Sequence, residues 1–126
     1  MALVENRFLA QPGSVVSLKE HDPAETGGLT KKQARAQLRE LMGPLNELQE
    51  LLYASEKYAL LIVLQGMDTA GKDGVIKHVI RAFNPQGCQV TSFKVPTREE
   101  LAHDFLWRVH RSTPGRGMVG ILPLAL

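Results

Sequence analysis

Apolar positions along this chain change their rhythm from one segment to the next. Ala34, Leu38, Leu41, Leu45, Leu48 and Leu52 recur at alternating intervals of four and three, which places them on one face of an amphipathic helix. Thr30 stands ahead of that stripe as an N-cap, so the pattern predicts a helical segment over 30–55. Gly43-Pro44 interrupts the stripe and predicts a kink or a break into two helices. Ala59 to Leu64 is instead a short continuous apolar run, the pattern of a buried parallel strand. From Lys72 to Phe83 the period is helical again, with Val75, Ile76, Val79, Ile80 and Phe83 facing inward. Asn84-Pro85-Gln86-Gly87 is a turn, and Gln89 to Phe93 reads as a second strand. Strand, loop, helix and strand make a βαβ unit with a right-handed crossover. Thr97 with Glu100 predicts a capping box for a helix reaching about His110, on which Asp104 and Arg108 form an i,i+4 pair. Pro114-Gly115-Arg116-Gly117 is a loop before a third strand, Met118 to Leu122. The breakers Pro12, Gly13, Pro23, Gly27 and Gly28 make residues 1–29 an irregular N-terminal arm.

Composition narrows the function classes. A length of 126 residues with 44% hydrophobic residues supports one domain with a core. The formal net charge of +2 gives no argument for nucleic acid as partner. No apolar run approaches the roughly 18 residues of a membrane span, so no membrane association is expected. The lone Cys88 provides no disulfide framework and suits a reducing compartment, making the cytoplasm the expected location. Cys88 itself reads as a small buried residue.

The chemistry concentrates between the first strand and the helix after it. Gly66-Met67-Asp68-Thr69-Ala70-Gly71-Lys72-Asp73-Gly74 follows the phosphate-binding loop G-x-x-x-x-G-K-[ST] up to its lysine, with Asp73 where a hydroxyl is expected. Glycines let backbone N–H groups turn toward a phosphate, the start of the helix carries positive potential, and Lys72 adds a mobile charge. Gly66, Ala70, Gly71, Lys72, Asp73 and Gly74 are therefore candidate phosphate and nucleotide ligands. Asp73 also has a plainer use, as a first-turn acid favoured by the helix dipole. Asp68 would repel phosphate unless a divalent cation stood between them, so the loop reads as a site for a metal-bridged polyanion.

Further blocks carry a resemblance. Besides the loop, Thr26-Gly27-Gly28-Leu29, Asn84-Pro85-Gln86-Gly87, Ser92-Phe93-Lys94-Val95-Pro96-Thr97, His103-Asp104-Phe105-Leu106-Trp107-Arg108 and Pro114-Gly115-Arg116-Gly117-Met118-Val119-Gly120-Ile121 stand in the order seen in polyphosphate kinase 2. From Gly27 to Ile121 the chain resembles that family, whose members move a phosphoryl group between inorganic polyphosphate and nucleotides such as ADP, AMP or GDP. The resemblance implies a P-loop kinase-like α/β/α fold around a parallel sheet, with the strands at 59–64, 89–93 and 118–122 in the spatial order second, third, first. It implies Mg2+ as cofactor, with Asp68 as metal ligand and, with Lys72, a catalytic residue. Lys94, just past the second strand, would contact nucleotide or polyphosphate. Arg111 and Arg116 would line a polyphosphate channel, since an arginine fork grips phosphate oxygens in pairs.

After Ile121 the resemblance stops at Leu122-Pro123-Leu124-Ala125-Leu126. The expectation is a partial, C-terminally truncated domain over 30–126: a helical segment at 30–55, an incomplete three-strand α/β part at 58–122 and an unrelated tail at 122–126. A second metal-binding acid and a helical lid would be missing, so the chain itself is expected to transfer little or no phosphate and to be marginally stable. The competing reading is a non-catalytic polyphosphate- or nucleotide-binding protein, or a partner of a full-length relative. The Leu38–Leu52 stripe is core or subunit interface, which keeps a homo-oligomer among the expectations. His103 and His110 read as helix-surface residues, Trp107 as packing, and Arg98 and Arg108 as further charges near the anionic path.

Overall fold

The computed structural model describes residues 9–67 and 69–125, the side chain of Ala125 excepted. Asp68, the expected metal ligand, lies outside the described residues, as do the first eight residues of the arm. The chain divides into two compact units, residues 1–34 and 35–126. The described part of the first holds turns, a 3-10 turn at Leu18–Glu20 and left-handed glycines at 13, 27 and 28. At its end Thr30 and Gln33 cap each other: Gln33 N–H donates to Thr30 Oγ1 (3.3 Å), and Thr30 N–H to Gln33 Oε1 (2.9 Å).

Helix α1, Lys31–Ser55, starts there and runs through Gly43-Pro44 as one element. The break predicted at Pro44 does not form. Proline removes only one donor, and the turns after it are anchored in the second unit, where Leu45 and Leu52 pack against the core. Gln49 is the buried polar residue of α1, 3% exposed. Its Oε1 accepts from the Asn84 N–H at 3.0 Å, tying the helix to the Asn84 turn.

Three parallel strands follow: β1 Leu60–Gly66, β2 Cys88–Val90 and β3 Val119–Ala125. Their order, β1-β3-β2, is the one expected. Central β3 pairs with β1 over its whole length, from Leu60↔Val119 to Gly66↔Ala125, and with β2 only over Val119–Ile121. Ile121 and Leu122, on opposite faces of β3, are both 0% exposed. Phe83, Ile76 and Ile80 pack against Val119 and Ile121 with the two α1 leucines. On β1, Ile62 and Leu64 join this core, whereas Leu61 and Val63 on the other face stay exposed. Among the described residues the outer edge of β1 is unpaired.

The third strand corrects the reading of the tail. Leu122 to Ala125 continue β3 instead of leaving the sheet. Pro123 is tolerated there for a geometric reason. The Thr91 N–H donates to Ile121 O, so the alternating backbone groups of residues 121 and 123 turn toward β2. By residue 123 β2 has ended, and no ladder bond is lost to the missing N–H. The second strand is shorter than read, stopping at Val90, and the segment 91–97 is released to form the rim of the sheet.

Helix α2, Lys72–His78, is followed by a 3-10 turn at Ile80–Ala82, so the predicted helix to Phe83 tightens in its last turn. The capping box at Thr97 and Glu100 is present, but its helix α3 ends at Leu101. A second short helix, α4, covers Trp107–His110. Asp104 makes the break: its Oδ1 accepts from Leu106 N–H at 2.8 Å, and its carbonyl from Trp107 N–H at 3.1 Å.

Gly87 shows how closely α1 and the turn before β2 approach. A Cβ there would collide with Gln49 Nε2 and come within 3.2 Å of the Tyr53 ring. Gln49 cannot swing away without surrendering its bond to Asn84. Gly87→Ala is expected to destabilise the protein by about 1–3 kcal/mol, through overpacking and a strained buried hydrogen bond. A denaturant midpoint shift checks it. Cys88, the next residue, is partly buried, and desolvation raises its thiol pKa above the ordinary value.

Candidate functional site

Parallel strands put the loops after β1 and β2 at the same, carboxyl end of the sheet, where ligands bind in open α/β folds. Gly66 closes β1, and residues 67–71 turn the chain into α2. Thr69 and Gly71 both take left-handed backbone, with φ of 69° and 88°. A side chain is strained at the second of these, so Gly71 at the helix entry is required by conformation. Gly66 is tight as well, since a Cβ would sit 3.0 Å from that of Ala70, whereas Gly74 has open space around it.

Lys72 folds back over this loop. Its Nζ donates to the carbonyls of Gly66 (2.8 Å) and Met67 (2.7 Å). An ammonium has three donors, so one is left for an incoming anion. The Ala70 N–H donates to Met67 O at 3.1 Å, which commits it to the turn and not to a ligand. The first-turn amides of α2 have no intrahelical acceptors. With α2 only two turns long, those amides and Lys72, more than a long macrodipole, set the local potential.

The loop opens onto a cavity of about 390 Å³ lined by Thr69, Ala70, Gly71, Lys72, Asp73, Ser92, Phe93 and Pro123. A second cavity of about 450 Å³ adjoins it, with Ser92 and Phe93 lining both. Lys94, Arg108 and Arg111 border the second, with Thr97, Glu100 and Trp107. Lys94 and Arg111 thus border the cavity that adjoins the loop's cavity at Ser92 and Phe93.

Arg116 is not brought there. It lies in the turn before β3, where Gly117 N–H donates to Tyr58 O at 2.7 Å. That is the amino end of β1 and β3. The 7 residues of β3, at about 3.3 Å each, put roughly 20 Å between that turn and the loop.

The two aromatic rings and two arginines around the second cavity are already engaged. Trp107 stacks on His103 with centroids 4.1 Å apart and carries Arg111 on its ring at 4.8 Å. With both neighbours on its ring, Trp107 is engaged in packing. Arg111 also pairs loosely with Glu99 at 3.9 Å and stays 62% exposed. Arg108 does not pair with Asp104. It reaches Glu100 at 3.7 Å, the Phe93 ring at 4.6 Å and the Lys94 carbonyl at 3.1 Å. Ser92, Phe93 and the Arg108–Glu100 pair are the parts of the site that sequence reasoning missed. Only the position of Ser92 and Phe93 beside Lys94 signalled them.

Asp73 is the described carboxylate on the loop cavity. Among the described residues no three His, Cys, Asp or Glu side chains come together as a metal cage. A single carboxylate beside a phosphate cradle suits magnesium, which keeps waters and takes substrate phosphate oxygens as ligands.

Residues 28–123 match the family model described as Polyphosphate kinase 2 (PPK2). The chain belongs to the polyphosphate kinase 2 family. It is 53% identical over 92 residues to an ADP-polyphosphate phosphotransferase of Rhodopseudomonas palustris, covering 73% of this chain and 32% of that protein. An AMP/ADP-polyphosphate phosphotransferase of Meiothermus ruber is 45% identical over 113 residues, covering 88% of this chain and 42% of the relative. The crystal structure of Polyphosphate Kinase 2 from Arthrobacter aurescens TC1 superimposes with a TM-score of 0.80 at 48% identity, over 87% of this chain and 42% of that one. This chain thus spans less than half the length of these polyphosphate kinase 2 relatives, and the family match over 28–123 takes in the residues lining both cavities. No helix among the described residues is long and apolar enough to cross a membrane.

Proposed function

We propose that this chain grips phosphoryl groups that pass between inorganic polyphosphate and a nucleotide, with ADP or AMP as the acceptor. The observation that carries this reading is Lys72, held over the loop by two main-chain carbonyls with a donor to spare, on a cavity that shares Ser92 and Phe93 with the one bordered by Lys94 and Arg111. A chain of phosphates needs such a run of separated positive groups, and phosphoryl transfer asks a protein mainly for position and charge neutralisation. Lys72 and the first-turn amides of α2 would hold the transferring phosphate, while Lys94 and Arg111 would guide neighbouring phosphates. Magnesium belongs to the proposal: when bound it would neutralise phosphate oxygens, and Asp68, by family resemblance, with Asp73 on the loop cavity, would hold it. The names of the relatives support the substrates, and the single cysteine suits a cytoplasmic setting.

The test is nucleotide formation from polyphosphate, magnesium and ADP by the purified chain, beside Lys72→Ala. Under the proposal any transfer requires both polyphosphate and Lys72. Turnover that survives Lys72→Ala overturns it. A folded chain that binds polyphosphate but transfers nothing has the binding role alone.

A further inference from the structure

Arg108 is the best-anchored cation beside the second cavity, with a side chain 19% exposed. Its guanidinium lies over the Phe93 ring, 4.6 Å from the centroid. The same edge donates to the Lys94 carbonyl at 3.1 Å and faces Glu100 Oε2 at 3.7 Å. That oxygen also accepts from the Thr97 N–H at 2.7 Å, so the carboxylate is fixed by the capping box before Arg108 meets it. An arginine that grips phosphate presents its fork to the ligand. The Nη1 corner of this fork is turned to a carbonyl and a carboxylate, its face is on a ring, and much of its charge is offset by Glu100.

The segment it touches has little other support. β2 ends at Val90, the last sheet bond on that side is Thr91 to Ile121, and residues 92–96 follow no regular pattern. Lys94 sits in this stretch with its side chain exposed on the cavity. Left to itself such a segment samples many backbone states, and fixing each residue costs conformational entropy.

We propose that Arg108 is a positioning residue: clamped between Glu100 and Phe93, it holds the main chain at Lys94 and so aims the Lys94 ammonium at the phosphate chain, without touching phosphate itself. The role rests on the phosphate-site reading above and adds to it a pre-ordered wall shared by the two cavities.

Two measurements on the full chain test it. Backbone 15N relaxation without ligand reads the clamp alone: Arg108→Ala is expected to lower the order parameters of residues 93–95 from the rigid range, about 0.85, to below about 0.6, with Arg108→Lys in between, because the Lys94 carbonyl loses its side-chain anchor. Tripolyphosphate binding then reads the coupling, in wild type, Lys94→Ala, Arg108→Ala and the double variant. Arg108→Ala is expected to weaken binding about tenfold in the wild-type background and less than about twofold once Lys94 is gone, the non-additivity of residues acting in series. Its salt dependence should match that of wild type, whereas Lys94→Ala should flatten it, since only a direct phosphate contact releases a counterion. If Arg108→Ala fails to fold, Arg108→Lys and Glu100→Gln carry the same comparison. Losses that multiply independently, with a flattened salt slope for Arg108→Ala, would make Arg108 a phosphate ligand and overturn the proposal. Unchanged order parameters at 93–95 would overturn the clamp while leaving the phosphate site intact. Absence of tripolyphosphate binding by wild type would overturn the phosphate site itself, and this role with it.

Discussion

Lys72→Ala is expected to weaken the binding of short polyphosphates by about tenfold to a hundredfold, the equivalent of one charged hydrogen bond of about 1.5–3 kcal/mol. The argument is geometric. Its ammonium stands over the loop on the carbonyls of Gly66 and Met67, and its third donor is the strongest single positive group at the cavity mouth. Shortening the side chain leaves two loop carbonyls facing an incoming anion with nothing between, so repulsion adds to the lost attraction. Stability should change much less, because these carbonyls lie at the cavity mouth, where water can take the ammonium's place. Isothermal titration with tripolyphosphate, set beside a melting curve, separates the two effects. A loss of affinity that tracks a loss of folded protein would contradict this account of Lys72.

Ile121→Ala is expected to cost about 2–5 kcal/mol, the range for removing a fully buried Ile side chain and leaving a cavity. Ile121 is 0% exposed in the central strand and faces Ile62 on one side and Val90 on the other. The hydrophobic residues buried among those described are Phe83, Val119, Ile121 and Leu122, so no larger core stands behind it. Against a typical total of about 5–15 kcal/mol, with exposed apolar surface on β1 and α1 placing this chain toward the low end, the upper end of this loss would bring folded and unfolded protein close to balance. Ile121→Val should cost about 0.5–1.5 kcal/mol and remain folded. Chemical denaturation of the pair checks both. Equal midpoints for the two variants would mean that the sheet centre is less tightly packed than the structure shows.

Much of the fold was legible because local signals agreed with tertiary demands. The α1 stripe, its Thr30 cap and the run at Ala59–Leu64 each announced the element that forms. What escaped reading depended on direction or on distant partners. Pro123 looked like the end of a strand, and only the alternation of backbone groups along β3, with β2 already finished, shows why it is harmless. The helix from Thr97 was read through Asp104, whose side chain instead restarts the chain at Leu106. On a continuous helix Glu100 and Arg108 would stand about 12 Å apart. The break brings them to 3.7 Å, so no i,i+4 rule could pair them.

The candidate site divides in the same way. Glycine and lysine spacing located the loop, because cradle chemistry is local in sequence. Ala70 lay inside that spacing, but its amide is used by the turn. Arg116 was grouped with the site on resemblance alone. Parallel pairing already implied otherwise, since the loop entering β3 and the loop leaving β1 must lie at opposite ends of the sheet. The apolar pattern puts Ser92 and Phe93 in the second strand; they become cavity walls because β2 stops at Val90.

The most direct test of the central claim is to map tripolyphosphate onto the chain by amide chemical shifts, with and without magnesium. The account predicts that the changes concentrate at residues 69–74 and 92–95, extend to Arg111 and spare Arg116. Changes centred on Arg116 and the amino end of the sheet, with the loop at 66–74 unmoved, would contradict it.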